Sequence, residues 1–309
     1  MKRLLRGSLL LLAFSAFLFG CKKDEKEEVT FTGNNIPYYD EVPRLLIENY
    51  VNRVFIDLIG REPTDIEMTT EADALRAANA SESSRITLVQ KIMFNTDPIP
   101  SEGSYREAYT RKFYEDQKGR YLEGSSEGNI LDEYYTWRAI AINDSLNGNW
   151  LQYELVMIEA NKMLDVFNSR LQLTNDEIVF EEMCRRMMFN SIYDDINMNT
   201  FNFINATFDD SFSRFPTLAE YEAVEDAIEF NGSGALFGLA VSSKPSYLDV
   251  LVASDEFDEG FVRWAFSAYL SREATSSEVY IMAPIYADGS NFSLIQQKIL
   301  TSDEYAGFE

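Results

Sequence analysis

The chain has no histidine and only two cysteines among its 309 residues. Without histidine, a Ser–His–Asp triad, a Cys–His pair, histidine metal ligands and c-type haem attachment are all excluded. Basic residues are scarce as well, since 27 Lys and Arg stand against 51 Asp and Glu, which gives a net charge of −24. This balance argues against a nucleic-acid partner, because binding phosphates requires clustered Lys and Arg.

Long apolar runs are rare too, and the one at residues 9–19 follows three basic residues near the N-terminus. Its length is typical of a secretory signal and too short for a membrane span. The run ends in the letters LFGC, whose cysteine is Cys21, and this ending resembles the bacterial lipobox. The resemblance implies a signal peptide over residues 1–20 and an acylated Cys21 that anchors the protein in the lipid bilayer. A plain signal peptide followed by a chance cysteine is the alternative.

A charged segment follows Cys21. It begins with Lys22, Lys23, Asp24 and Glu25. The segment resembles the acidic export signal of Bacteroidota surface lipoproteins, which implies an outer-membrane, lipid-anchored protein that faces the cell exterior; a solvated spacer is the other interpretation. Residues 21–38 lack apolar periodicity and predict a flexible acidic tether. Cys184 lies in a helical pattern, which predicts a buried, inert thiol.

The most informative feature is an internal repeat, R-x-P-T-x-x-E, which the third copy matches with alanine in place of proline. The recurring positions are Arg61, Thr64 and Glu67, then Arg214, Thr217 and Glu220, then Arg272, Thr275 and Glu278. The pattern predicts a helix start, because Thr is an N-cap and Glu three residues later completes a capping box. We expect each arginine to pair with acids of neighbouring helix turns, and anion binding is the alternative.

Helices precede and follow each motif. Apolar residues recur one, three and four positions apart before it, and Gly60, Ser213 and Ser271 occupy the C-cap position. A third helix then ends in a turn capped by Ser, Thr or Asx. The sequence therefore predicts an all-α fold of three helix–capped turn–helix–helix units plus a helical middle insertion. The boundaries are 39–115 for the first unit, 116–195 for the middle region and 196–309 for the second and third units.

Two resemblances accompany these units. The strings FVRW (261–264), YLSREAT (269–275) and SDEY (302–305) resemble the helical repeat of phycobilisome-linker-type domains. The string VNRVFIDLIGREPT (51–64) resembles the N-terminal module of large planctomycete-type secreted proteins. Both imply an all-helical assembly or interaction module of unknown function rather than a catalyst.

The middle region predicts helices at residues 131–142 and 150–171, with loops at residues 125–129 and 143–149. A Thr or Asn cap with Glu close behind predicts another helix start within residues 173–177. Within the second loop, Asp144-Ser145-Leu146 resembles the O-glycosylation sequon of Bacteroidota secreted proteins, which implies Ser145 as the modified residue.

Aromatic residues alternate with Asn and Asp over residues 190–215. We expect four of them to be core residues of the second unit: Phe201, Phe203, Phe208 and Phe212. The alternative is a sugar-binding surface, in which rings stack on the ligand while amides and carboxylates form hydrogen bonds with it.

Catalytic and metal-binding motifs are not recognisable. Adjacent carboxylates such as Asp194-Asp195 and Asp209-Asp210 are expected by chance among 51 acids. Calcium is the metal that suits such oxygen donors, but residues 255–260 and 288–291 lack EF-hand spacing and are better explained as helix caps and turns. We therefore expect no cofactor and no metal.

Together these features predict a non-enzymatic interaction or scaffold subunit of an outer-membrane protein complex for transport, secretion or gliding, or outer-membrane protein assembly. One alternative is a glycan-binding surface lipoprotein, which exposure of Trp137, Trp150 or Trp264 along one groove would favour and burial of all three would exclude. The other is a hydrolase that uses only carboxylates, which requires two acids roughly 5–10 Å apart in a cleft.

Overall fold

Helices form nearly all the regular structure of this chain. The computed structural model describes residues 42–100, 103–289 and 291–308, so the signal peptide, Cys21 and the predicted tether lie outside the described residues. The helices are α1 (Arg44–Ile59), α2 (Asp65–Ala77), α3 (Glu82–Phe94), α4 (Tyr105–Tyr121), α5 (Glu127–Leu146), α6 (Trp150–Thr174), α7 (Phe180–Met188), α8 (Ser191–Asn197), α9 (Thr200–Phe212), α10 (Leu218–Phe230), α11 (Lys244–Val252), α12 (Asp255–Leu270), α13 (Ser276–Ala287), α14 (Phe292–Leu300) and α15 (Asp303–Ala306). Two antiparallel hairpins complete the described part: β1 (Pro98–Ile99) with β2 (Gly103–Ser104), and β3 (Gly234–Leu236) with β4 (Leu239–Val241). The all-α prediction is confirmed.

Side-chain caps explain where most helices begin. At eleven starts a Ser, Thr or Asn side chain accepts a hydrogen bond from the backbone N–H three residues later. Thr64, Thr217 and Thr275 are among them, and each forms the full capping box predicted from the repeat. This satisfies N–H groups that the first helical turn would otherwise leave unpaired.

The helix before each capped turn ends in a left-handed residue. Gly60, Ser213 and Ser271 have φ values of 77°, 58° and 55°, and each backbone N–H bonds to the carbonyl four residues back. The three predicted C-caps are confirmed. Glycine adopts this conformation at little cost, whereas serine there is held by the surrounding structure.

Aromatic rings from four helices meet in the core. Phe113 of α4 stacks on Phe292 of α14 with ring centroids 4.5 Å apart. Phe180 of α7 lies 5.2 Å from Phe113 and 5.0 Å from Phe261 of α12. These rings join helices from distant parts of the sequence into one hydrophobic cluster.

The first and last helices are also in contact. The Tyr50 hydroxyl of α1 donates to the Leu300 carbonyl at 3.1 Å, and the Tyr305 hydroxyl of α15 donates to Asp57 at 2.7 Å. Arg85 of α3 adds a hydrogen bond to Asp303 at 2.6 Å. The C-terminal helices α14 and α15, with the turn between them, therefore pack against α1 and α3.

Helices α5 and α6 form a long antiparallel hairpin, which we call the arm. Its base is tied to the body by buried Ile130, Met163 and Val166 and by the Trp137 indole, which donates to the Ser191 hydroxyl at 3.0 Å. The 25 residues of α6 give it a length of about 37 Å. The arm end, residues 139–158, carries the turn between the two helices.

Two sequence predictions were wrong in the middle of the chain. Residues 143–146 belong to α5, and only residues 147–149 form the turn, because backbone hydrogen bonds continue to Asn147. Residues 173–177 end a helix rather than start one, because the Thr174 hydroxyl donates back to the Arg170 carbonyl. The start of α7 at Phe180 has no side-chain cap.

The prediction that Phe201 of α9 is a core residue was also wrong. Phe201 is 60% exposed, whereas Phe203, Phe208 and Phe212 are buried as predicted. Phe201 lies on the outer face of α9 and packs edge-on against Tyr221 at 5.5 Å. A phenylalanine between two helices can remain on the surface when only one of its faces is covered.

The order helix, capped turn, helix occurs at α1–α2, α9–α10 and α12–α13. The three-unit repeat as a whole stays a prediction, and the connections that follow these pairs differ in structure. Among the described residues, no helix is both long and apolar enough to cross a membrane.

Candidate interaction surface and acidic cleft

The repeated arginines each lie inside a network of carboxylates. Arg214 bonds both oxygens of Glu220 at 2.7 and 2.9 Å and both oxygens of Glu256 at 2.5 and 2.7 Å. Arg272 is held in the same way by Glu278 and Glu304. Two bidentate contacts occupy most of the donors of one guanidinium.

The network around Arg61 contains a tyrosine, Tyr105, where the other two networks contain a second glutamate. Arg61 bonds both oxygens of Glu67 at 2.8 Å, and the Tyr105 hydroxyl donates to the same carboxylate at 2.7 Å. The predicted pairing of all three arginines with acids is therefore confirmed. The sequence did not reveal Glu256 and Glu304 as partners, although their recurrence in two Ser-Asp-Glu-aromatic turns was the available signal.

These networks hold their carboxylates in the ionised form. Hydrogen bonds from Arg214 and Arg272 lower the pKa values of Glu220 and Glu278 to about 2. Partial burial by itself would raise the pKa of Glu67, but hydrogen bonds from Arg61, Tyr105 and Thr64 outweigh it and lower the pKa to about 2. In each motif the Thr, Glu and Arg are engaged in a capping box and an ion pair at the turn between two helices, and their structural role stays a prediction.

The arm end carries a group of exposed large apolar side chains. Seven of its large apolar side chains are each at least 44% exposed: Ile140, Ile142, Leu146, Trp150, Leu151, Leu155 and Ile158. Leu146 and Leu151 reach 81% and 73%. Contiguous patches of this kind on soluble proteins mark interaction sites, whereas single exposed apolar residues do not.

The interior of the arm is already filled without these residues. Ala141 of α5 and Val156 and Ala160 of α6 are buried between the helices. The exposed residues Leu151, Leu155 and Ile158 recur at i, i+4 and i+7 and form a second stripe. The sequence signal was a stretch of 15 residues, 139–153, with a single charged side chain in a chain that is 25% charged.

The three tryptophans lie in different environments. Trp150 is 62% exposed at the arm end, Trp137 is tied to Ser191 at the arm base, and Trp264 stacks on Phe261 at 5.5 Å in the core. They lie in three separate environments, and Trp150 is exposed, so burial of all three, which would exclude the glycan-binding alternative, does not occur and that alternative stays a prediction.

A shallow acidic cleft of about 450 Å³ lies where α7, α11 and α12 meet. Glu181, Asp255 and Asp258 line it together with Val179 and Val252. It brings together acids 77 positions apart in sequence, which no sequence pattern indicated.

Two of these acids are in unusual states. The Tyr286 hydroxyl donates to one Glu181 oxygen at 2.6 Å, and the other oxygen is buried without a hydrogen-bond partner. Burial, together with the nearby charge of Glu181, raises the pKa of Asp258 to about 7. Asp258 thus has a pKa near neutral pH and lies in the same cleft as the Glu181 carboxyl group, an arrangement found in acid–base pairs.

The remaining predicted site residues are accounted for individually. Asp255 and Asp258 lie in the first turn of α12 behind its N-cap Ser254, as the helix-cap explanation predicted. Across the described ranges, acidic and thiol side chains form no group of three that could hold a metal ion. Cys184 is buried, and burial raises the pKa of its thiol, as expected for an inert side chain.

The modification sites divide into two groups. The lipidation site Cys21 and the export-signal residues Lys22, Lys23, Asp24 and Glu25 lie outside the described residues. Ser145 lies in the last turn of α5 rather than in a loop, and its hydroxyl donates to the Ile142 carbonyl at 2.7 Å. Its O-glycosylation stays a prediction, now on a helical rather than an open-loop backbone.

No family model, no curated protein and no solved structure matches this chain. The resemblances stated from the sequence therefore stay predictions.

Proposed function

We propose that this protein is a cell-surface outer-membrane lipoprotein that acts as a non-enzymatic interaction subunit of an outer-membrane protein complex. The exposed arm end carries the proposal. The base of the arm packs into the body, but seven large apolar side chains at its end are each at least 44% exposed. A surface of this composition is stabilised when a partner covers it.

The rest of the structure is suited to holding the arm in place. The capped turns, the arginine–carboxylate networks and the aromatic core join the helices of the body, and each motif arginine bonds the carboxylate of its own motif. The arm is fixed to this body by buried contacts at its base. A rigid body that presents one apolar projection is the organisation of a scaffold or docking subunit.

The test is affinity purification from membranes solubilised in mild detergent, with C-terminally tagged protein and mass spectrometry. The informative variant is Leu151→Ser/Leu155→Ser, and the matched control is Tyr280→Ser/Ile281→Ser, which removes two exposed apolar side chains from α13. We expect a stoichiometric membrane partner with wild type and control, and its loss with the arm variant. Purification of wild type without such a partner would refute the proposal.

The membrane anchor is tested separately. We expect metabolic labelling with a palmitate analogue to require Cys21, and Cys21→Ala to release the protein from the membrane fraction. External protease should digest the wild-type protein in intact cells if it faces the exterior. Protection of the protein until the outer membrane is opened would instead place it in the periplasm.

One observation favours a second candidate, a hydrolase that uses only carboxylates. The pKa of Asp258 near 7 and the Glu181 carboxyl group in the same cleft, with one oxygen buried and unpartnered, are features that general acid–base catalysis uses. A panel of p-nitrophenyl glycosides and esters tests it, with Asp258→Asn as the variant. Turnover that Asp258→Asn abolishes would establish this candidate, and absence of turnover across the panel would remove it.

A further inference from the structure

The chemistry of the arm end specifies more than the presence of a partner. Leu151, Leu155 and Ile158 form a stripe on α6, and Ile142 and Leu146 are further exposed apolar side chains on α5. Each of the seven exposed side chains at the arm end is at least 44% exposed, and none of them fills the interior of the arm.

Charge on the arm end has a single sign. Between residues 139 and 161 there are three acids, Asp144, Glu154 and Glu159, and no Lys or Arg. Glu159 is bonded by Lys162 at 2.8 Å, but Asp144 and Glu154 form no ion pair among the described residues. The apolar surface is therefore flanked by two acids that a partner would have to face.

This charge pattern discriminates between occupants. A second copy would bring the same two acids, and a net charge of −24, against this surface. An anionic lipid surface would be repelled for the same reason, since interfacial helices that bind such lipids carry Lys or Arg on their polar face. Opposite charges across an interface favour association and exclude wrong partners.

We infer that the arm end docks into an apolar groove bordered by Lys and Arg side chains on a partner protein. The inference rests on the proposed function and specifies the chemistry of its partner. Helix-in-groove binding of this type uses anchors at i, i+4 and i+7, which Leu151, Leu155 and Ile158 provide. Asp144 and Glu154 pair with the basic border.

The experiment uses a defined probe in place of the unidentified partner. It is a fluorescent amphipathic peptide of roughly 18 residues, or five helical turns, made of Leu and Lys, with a Leu and Glu peptide as the comparison. Binding is measured by anisotropy to the full mature chain carrying Cys21→Ser, so that no acyl group contributes. Titrations at about 0.05 M and about 0.5 M salt report the electrostatic share of the affinity.

We expect the Leu–Lys peptide to bind and the Leu–Glu peptide not to bind. Leu151→Ser/Leu155→Ser, which leaves the charge unchanged, should weaken binding roughly tenfold or more, because two apolar anchors are lost. Asp144→Asn/Glu154→Gln should weaken binding and remove most of its salt dependence. Tyr280→Ser/Ile281→Ser should bind as the wild type does.

Three results would overturn the inference. The first is equal binding of the Leu–Lys peptide by wild type and the Leu151/Leu155 variant. The second is a dimer in sedimentation velocity that this variant dissociates, which would make a second copy the occupant. The third is flotation of the protein with lipid vesicles that depends on the same two leucines. If peptide binding fails but the membrane partner is still lost from the arm variant, the proposed function stands and only the basic groove is wrong.

Discussion

Arg214 and Arg272 show how a short motif becomes a rigid turn. Each guanidinium bonds one Glu six residues ahead and a second Glu from a distant helix start. The near Glu also completes the capping box with its Thr, so one side chain serves the cap and the ion pair. Such shared roles make the contributions of these residues non-additive.

Thr217→Ala should lower the free energy of unfolding by about 1 kcal/mol, because the Glu220 N–H loses its acceptor at the helix start. Chemical denaturation monitored by circular dichroism measures the change. Thr70→Ala is the control, since Thr70 lies exposed within α2 and the same substitution there should be neutral or slightly stabilising. Equal effects at the two positions would show that the cap contributes nothing.

Asp258 should make stability depend on pH in the neutral range. Because burial raises its folded pKa to about 7, its contribution to stability is present at low pH and is lost as pH rises through 7. Asp258→Asn should therefore raise the free energy of unfolding at pH 8 by about 1 kcal/mol, after allowance for partial exposure, and with it the melting temperature. At pH 4 the substitution should have little effect.

The comparison for Asp258 is Asp132→Asn, which removes the same charge from an exposed position of α5. Differential scanning fluorimetry from pH 4 to pH 8 provides the profiles. A pH profile for Asp258→Asn parallel to that of the wild type would show that Asp258 is ionised in the folded protein at neutral pH.

At the scale of elements, one close crossing determines how α9 and α12 pack. A Cβ atom at Gly260 of α12 would lie 1.9 Å from the Ser211 carbonyl oxygen and 3.0 Å from the Phe212 Cα. Both contacts are backbone atoms that cannot move aside without shifting α9. The glycine is thus required by helix–helix distance rather than by backbone conformation.

Gly260→Ala should lower stability by roughly 2 kcal/mol or more, because it forces two helices apart in a packed core. The matched control is Gly119→Ala in α4, where a Cβ meets nothing within 4 Å. There the same substitution should stabilise by about 0.5–1 kcal/mol through helix propensity. Denaturant titrations of both variants test the contrast, and stabilisation by Gly260→Ala would disprove the close crossing.

At the scale of the whole molecule, charge is strongly unbalanced. The sequence has 51 acids and 27 bases, and many of the bases are already committed to ion pairs. The remaining acids repel one another, which disfavours the compact state.

Raising salt from about 0.02 M to about 0.5 M should therefore raise the melting temperature, because screening weakens long-range repulsion between exposed acids. Sodium and potassium chloride should act alike if the effect is screening. A fall in melting temperature would mean that the local arginine–carboxylate pairs outweigh the repulsion across the molecule.

Much of the helical framework could be predicted from the sequence. The capping boxes at Thr64, Thr217 and Thr275, the left-handed ends at Gly60, Ser213 and Ser271, and the arginine–glutamate pairs all involve residues within about six positions of each other. Local hydrogen bonds of this kind depend little on the rest of the fold.

Other features could not be predicted because apolar spacing is the same for buried and exposed stripes. Leu151, Leu155 and Ile158 have the spacing of a core face, yet only packing determines that Val156 and Ala160 fill the interior and leave them exposed. Phe201 was misplaced for the same reason. The helical segment at residues 143–146 was misplaced because Asn and Ser favour turns in isolation but continue a helix that its neighbours stabilise.

The sequence by itself determined the all-α class, the capped turns and the scarcity of chemical groups for catalysis, because these depend on composition and on contacts between near neighbours. Only the tertiary structure decided which glutamates complete the arginine networks, that Glu181 lies beside Asp258, that Gly260 permits a helix crossing, and that one long hairpin projects with an uncovered apolar end. The physical reason is distance along the chain. Those contacts join residues about 30 to 80 positions apart, and they form only when packing of the whole core brings the helices together.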